Sequence, residues 1–249
     1  MIISRTPFRV SLFGGGTDYP DWFLENGGSV IGMTIDKYCY LSVRYLPPFF
    51  KHKHRIVWSR IELVDDINEI EHPAVRTILK EKQFNTGLEI AYNADLPARS
   101  GLGTSSSFSV GLINALNALN GQMSSKKELA DEAIRIEQEI MLESVGSQDQ
   151  VWAAYGGFNR ISFNSDGSYE VSPILVTKKQ RKELLGSFML FFTGFSRYSG
   201  KLAERQIANF KNKNKELNLI NDFTNDATKI LQENTGIVTN LGHLMHEGW

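Results

Sequence analysis

Apolar residues along this chain recur first with a period of two and later with a period of three to four, and the change divides it into elements. Phe8, Val10 and Leu12 alternate with Arg9 and Ser11, which predicts a strand with one face on a core, ending in the glycines that follow Phe13. Runs rich in β-branched and aromatic residues predict further strands over Ser29–Ile35, Tyr38–Tyr45, Arg55–Val64 and Leu88–Tyr92. After Gly103 the spacing turns helical: Phe108, Leu112, Ala115, Leu116 and Leu119 share one face, and Asn120-Gly121 closes the helix. Ser124-Ser125, with Glu128 three residues after Ser125, predicts the start of a second helix running to about Glu143. A strand pair is predicted at Gly157–Phe163 and Tyr169–Val171, around the turn signal Asn164-Ser165-Asp166-Gly167.

The charged stretch between Pro173 and Gly186 reads as a domain boundary leading into an apolar strand over Ser187–Thr193. From Tyr198 to about Gln232 the chain is helix-prone and rich in asparagine, a pattern of mostly solvated helical faces. Strands early and helices later predict an α+β protein with two domains, 1–180 and 181–249.

Composition narrows the function classes. With 249 residues, 41% of them hydrophobic and 11% aromatic, the chain can bury a core. Lys+Arg 27 against Asp+Glu 28 leaves a net charge of −1, which excludes a polybasic nucleic-acid binder, so no nucleic-acid partner is expected. The single cysteine, Cys39, cannot pair internally, and the opening MIISRTPFRV is no secretory signal, so a cytoplasmic protein is expected. The apolar cluster Phe188–Phe192 falls far short of the ~20 residues of a membrane span, so no membrane partner is expected. Histidines 52, 54, 72, 243 and 246 offer no third ligand at a spacing that suits zinc.

Three constellations carry candidate chemistry. In the first, Gly101, Leu102, Gly103, Thr104, Ser105 and Ser106 lead straight into a helix, where backbone N–H groups and the positive dipole end suit phosphate oxygens and hydroxyls suit a metal ion. A plain helix cap is the alternative, although four hydroxyls exceed what capping needs. The stretch is not a P-loop of the G-x-x-x-x-G-K-[ST] type, since no Lys follows Gly103.

In the second, Gly14-Gly15-Gly16-Thr17-Asp18 after the first strand lets a ligand approach closely, with Asp18 accepting from sugar hydroxyls, or is a glycine turn with a structural Asp. The third runs from Glu137 to Gln150. Helical phase puts Ala130, Ala133, Ile134, Glu137, Ile140 and Met141 on one stripe, so Glu137 points inward and needs a partner or a metal. Glu132, Arg135, Glu139 and Glu143 fall on the opposite face, with Glu139 a surface partner for Arg135. Asp149 follows as a base or a helix cap. Lys51 to Arg55 reads as a solvated hairpin tip, and Trp58 with Phe49–Phe50 as core or the lining of an adenine pocket.

Together these motifs resemble the GHMP small-molecule kinases. GLGTSSS is similar to the family's phosphate loop P-x-x-x-G-L-G-S-S-A, with Thr104 for the first Ser and Ser106 for Ala, and PFRVSLFGGGTDY to its sugar-binding segment. The resemblance implies a GHMP two-domain fold, with an N-terminal domain like domain 2 of ribosomal protein S5 and an incomplete C-terminal GHMP domain, because no third glycine-rich motif follows Gly186. It implies ATP and Mg²⁺ as cofactors. Ser105 and Glu137 would hold the metal, Gly101–Ser106 the phosphates, and Gly16, Thr17 and Asp18 the sugar. Asp149 would be catalytic, supported by Arg9.

GGGTDY, RIVWSRIELVDD and FFTGFSRYSGK are similar to the heptose phosphate and fucose kinase branch. That branch implies transfer to the anomeric hydroxyl of a heptose 7-phosphate, giving the 1,7-bisphosphate, with Arg197 as a cation for the substrate's own phosphate and room for a homodimer. A fucose- or galactose-type kinase and a catalytically silent nucleotide/sugar sensor are the alternatives.

Overall fold

A computed structural model describes residues 1–98, 100–191, 207, 209–233 and 235–248. Its elements are β1 (Ile2–Phe13), α1 (Pro20–Asn26), β2 (Gly28–Tyr45), β3 (His54–Val57), β4 (Ile61–Val64), α2 (Pro73–Glu81), β5 (Leu88–Ala94), α3 (Thr104–Leu119) and α4 (Lys126–Arg135). They continue with α5 (Gln148–Tyr155), β6 (Phe158–Phe163), β7 (Tyr169–Pro173), α6 (Lys178–Ser187), α7 (Asn214–Leu231) and α8 (Ile237–Glu247). The fold is mixed α+β, in two compact units that are discontinuous in sequence. One comprises Met1–Arg9, Thr34–Val145 and Asp149–Gly156; the other comprises Val10–Met33, Gly146–Gln148 and Gly157–Trp249. Neither unit is bounded at residue 180.

In the first unit β2 pairs antiparallel with β5, Cys39 opposite Ala94 and Tyr45 opposite Leu88, and β3 lies parallel to β5 with Arg55 opposite Glu89. Leu41, Val43, Ile56 and Ile90 of this sheet pack with Val75, Ile78 and Leu79 of α2 and with Leu112, Ile113 and Leu116 of α3. Fully burying each such side chain is worth about 1.5–3 kcal/mol. The predicted stripe on α3 proves too narrow, because every residue from Ser106 to Asn117 except Asn114 is buried. Gly111 makes that possible: a Cβ there would lie 2.7 Å from Thr6 Oγ1 of β1.

The second unit pairs β2 with β6 and β6 with β7, Ile31 opposite Arg160 and Ile161 opposite Val171. The predicted turn closes this hairpin, with Gly167 N donating to the Asn164 carbonyl at 3.0 Å. Phe13 and Ile31 pack with Leu184 of α6, Ala227 and Leu231 of α7, and Leu241 and Leu244 of α8.

Several elements differ from expectation. β2 is one continuous strand, running through the exposed Asp36-Lys37 that separated two predicted strands, with β6 paired to its first part and β5 to its last. Arg55–Val64 is a hairpin, bent where Trp58 N donates to the Arg60 carbonyl at 2.8 Å. The predicted strand from Ser187 is absent as far as it is described: Ser187 ends α6, Phe188 to Phe191 are exposed in no strand, and Phe192–Thr193 lie outside the described residues. α7 is not merely a solvated face, since Leu217, Thr224, Ala227 and Leu231 are buried. Among the described residues no helix is long and apolar enough to cross a membrane.

α4 begins as predicted, with a reciprocal capping box between Ser125 and Glu128. It does not continue as an α-helix to Glu143. Over Ile136–Ile140 the backbone widens into a π turn, in which Met141 N donates to the Ile136 carbonyl at 2.8 Å.

Candidate active site

The glycine loop of the first unit needs both its outer glycines. Gly101 has φ 77° and Gly103 φ 72°, in the left-handed region that L side chains disfavour. Gly103 is also the N-cap of α3, so no cap side chain satisfies the N–H groups of the first turn. The positive end of this 16-residue helix suits an anion. Ser105 is exposed, whereas Ser107 donates to the Pro7 carbonyl at 2.8 Å and Ser106 faces inward.

Arg9 ties this loop to Asp149 in the first turn of α5. Its Nε and Nη2 donate to Asp149 Oδ1 and Oδ2 at 2.6 and 2.7 Å, its Nη1 donates to the Gly101 carbonyl at 2.8 Å, and its backbone N donates to the Leu102 carbonyl at 3.0 Å. A Cβ on Gly103 would lie 3.1 Å from Arg9 Cγ and 3.4 Å from Asp149 Oδ2. The carboxylate therefore stands directly against the loop, aligned by a bidentate fork.

Glu137 is buried at 1% exposure, as helical phase predicts, and it sits in the π turn. Its Oε2 accepts from Ser106 Oγ at 2.8 Å and from Gln150 Nε2 at 2.5 Å, while the buried Oε1 has no hydrogen-bond partner. Burial pushes its pKa up to about 7, the hydroxyl and amide donors offset part of that shift, and the neighbouring Glu143 charge adds to it. An orphaned carboxylate oxygen beside serine hydroxyls fits a hard cation such as Mg²⁺. Among the described residues no three His, Cys, Asp or Glu side chains group as a metal cage, so phosphate oxygens and water would complete the shell.

Ser106 thus holds the inward position beside Glu137, and Ser105 the outward one. Glu139 is exposed and is not the partner of Arg135, which reaches across to Glu81 at 3.1 Å on α2. Trp58 packs edge-on against His72, with centroids 4.9 Å apart, and its Nε1 donates to Glu62 at 2.7 Å. The predicted hairpin tip at 51–55 is only partly solvated, since His54 is fully buried and Arg55 pairs with Glu89.

In the second unit Asp18 is 1% exposed. Gly16 N donates to its Oδ1 at 3.0 Å, Gln148 N to its Oδ2 at 3.4 Å, and Ser147 N to its carbonyl at 2.9 Å. Gly146 leaves it no spare room, because a Cβ there would land on Asp18 Oδ2. Thr17 donates to the Gly14 and Ser29 carbonyls and accepts from Ser29 N, pinning the turn to β2. Arg197 lies outside the described residues. Sequence reasoning missed the inward role of Ser106 and the polar cluster around Arg160; the hydroxyls carried a signal, but side-chain direction in a first helical turn depends on what packs beneath it.

A family model described as "GHMP kinases N terminal domain" matches residues 68–157 of the chain. Its sequence is similar to the L-fucokinase/L-fucose-1-P guanylyltransferase of Bacteroides fragilis, 25% identical over all of this chain and 30% of that protein. It is also similar to the D-glycero-alpha-D-manno-heptose 7-phosphate kinase of Campylobacter jejuni, 27% identical over 92% of this chain and 70% of that protein. The chain thus spans less than a third of the first relative's length. Its fold matches that of a D-glycero-D-manno-heptose 1-phosphate kinase from Bacteroides thetaiotaomicron with a TM-score of 0.84, covering 100% of this chain and 78% of that one at 24% identity.

Proposed function

We propose that the chain is a GHMP-type sugar kinase that transfers the γ-phosphoryl group of ATP to the anomeric hydroxyl of D-glycero-D-manno-heptose 7-phosphate, giving the 1,7-bisphosphate. The observation that carries this reading is the Arg9–Asp149 fork set directly against a glycine loop at a helix N-terminus. Phosphoryl transfer asks a protein for positioning and charge stabilisation more than for covalent chemistry, and these residues supply both.

The N–H groups of Gly101 to Ser106 cradle the β- and γ-phosphates. Asp149, held in one orientation by Arg9, accepts the proton of the attacking hydroxyl, while Asp18 orients the sugar through its hydroxyls. Mg²⁺, held by Glu137 with Ser105 or Ser106, neutralises phosphate charge when bound. ATP as donor is consistent with a cytoplasmic setting.

The fucokinase relative, matched over the whole chain, favours a second reading in which the acceptor is an unphosphorylated sugar. ADP release measured with ATP, Mg²⁺ and a panel of heptose 7-phosphate, fucose, galactose and mevalonate separates the two. Turnover confined to the heptose phosphate supports the first reading, and turnover of fucose alone replaces it with the second. Binding of ATP and sugar without ADP release would make the chain a sensor.

A further inference from the structure

The mechanism leaves a half-buried cation of the second unit unused. Arg160 stands on β6 opposite Ile31 and directs its guanidinium among residues of β2 and α7. Nη2 donates to Asn225 Oδ1 at 2.8 Å and to Ser29 Oγ at 3.3 Å, and Nη1 donates to Thr228 Oγ1 at 3.3 Å. Ser29 Oγ in turn donates to Asn221 Oδ1 at 2.9 Å, and the buried Nε of Arg160 has no acceptor. The cradle therefore consists of amides and hydroxyls, with no carboxylate bonded to the guanidinium among the described residues.

A guanidinium drawn partly out of water, with its Nε buried, is ordinarily paired with a carboxylate, and this one is not among the described residues. Arg44 of β2 shows the usual arrangement: bonded to Glu89, its pKa is raised by that carboxylate. Burial alone acts on Arg160, and lowers its pKa. Two of its three bonds lie at the long end for N–H···O contacts, so the donors have capacity left for a stronger acceptor.

The cradle is also tied to the candidate sugar segment. Ser29 N donates to Thr17 Oγ1 and Thr17 Oγ1 donates to the Ser29 carbonyl, both at 3.1 Å, and Asp18 is the next residue.

We propose that Arg160, with Ser29, Asn225 and Thr228, binds the phosphate monoester of the acceptor sugar. This rests on the reading above that the acceptor is a sugar phosphate. A dianionic phosphate supplies the missing counter-charge and accepts charge-assisted bonds from the guanidinium. The hydroxyls and a turned Asn225 amide donate to its remaining oxygens.

The test is calorimetric titration of the full chain with heptose 7-phosphate, the same heptose without phosphate, and inorganic phosphate. Arg160→Gln should weaken binding of the sugar phosphate by about 10- to 100-fold and leave the free heptose within about twofold, with Arg160→Lys in between. Asn225→Asp guards against a folding artefact, because it sets a carboxylate where the 2.8 Å acceptor already stands. It should keep or raise Tm while abolishing the preference for the phosphorylated sugar.

A wild-type preference for the phosphate that survives in both variants overturns the assignment of Arg160 alone. Equal losses for sugar and sugar phosphate make Arg160 structural and overturn it too. Binding of inorganic phosphate at Arg160 without any preference for the sugar phosphate overturns it in favour of a free-phosphate site. Turnover of a free sugar by a wild type indifferent to the phosphate sinks the substrate reading, and this proposal with it.

Discussion

Arg9 grips Asp149 through two parallel bonds of 2.6 and 2.7 Å and spends its remaining nitrogen on the carbonyl of Gly101. One guanidinium thus sets the carboxylate's orientation and its distance from the glycine loop. Asp149→Asn should lower kcat by about 10²–10⁴ if the carboxylate is the base, and a fall of less than ~10-fold rejects that role. Arg9→Lys keeps the charge but cannot form the fork, so steady-state kinetics should show it lowering kcat more than it changes KM for ATP.

Glu137 makes stability depend on pH in a defined direction. Its folded pKa of about 7 lies above the ordinary 4.5, so between these values the native state binds more protons than the unfolded one. Stability therefore falls as pH rises through that window, by at most about 3 kcal/mol. Glu137→Gln removes this slope, which urea unfolding at pH 5 and pH 8 without divalent cation should reveal. Because a metal competes with the proton, Mn²⁺ affinity of the native chain should rise with pH up to about 7 and be lost in the variant. A pH-independent Mn²⁺ affinity would contradict the metal assignment.

Gly146 is required by Asp18 rather than by its own backbone. In Gly146→Ala the new methyl group competes with a carboxylate that two backbone N–H groups hold in place. Overpacking of this kind costs about 1–3 kcal/mol. The variant should raise KM for the sugar by at least about 10-fold while leaving KM for ATP within a factor of about two, on the scale of one charge-assisted hydrogen bond. Equal changes in both constants would show that Asp18 does not serve the sugar.

Ser125→Ala is the converse case. Losing the α4 cap should cost about 1 kcal/mol in chemical denaturation, with kcat unchanged.

What the sequence revealed and what it hid divide along physical lines. The inward position of Glu137 was legible from its phase with Ala130 and Ala133, and the glycine turn before α3 from the glycines and hydroxyls that lead into a helical period. The Ser125–Glu128 box was legible because capping is local. The π turn was not, since helical periodicity assumes the α repeat that it departs from. The choice between Ser105 and Ser106 was hidden too, because it is made by Glu137, 31 positions beyond Ser106. Arg160 gave no signal, since its partners come from β2 and from the asparagines of α7 that read as solvated.

The widened turn at Ile136–Ile140 sets a rule for how this protein can change in length. A π turn holds an extra residue, so deleting Gln138 would let the segment rewind as an ordinary α turn. The closing bond from Met141 N to the Ile136 carbonyl would be replaced by an ordinary α bond, and the loop from Met141 to Ser147 would leave the helix from a different point. The exposed turn at 164–168 can gain or lose a residue at small cost. Between Ile136 and Asp149, by contrast, a change in the count disturbs the turn that aims Glu137 at Ser106 and Gln150.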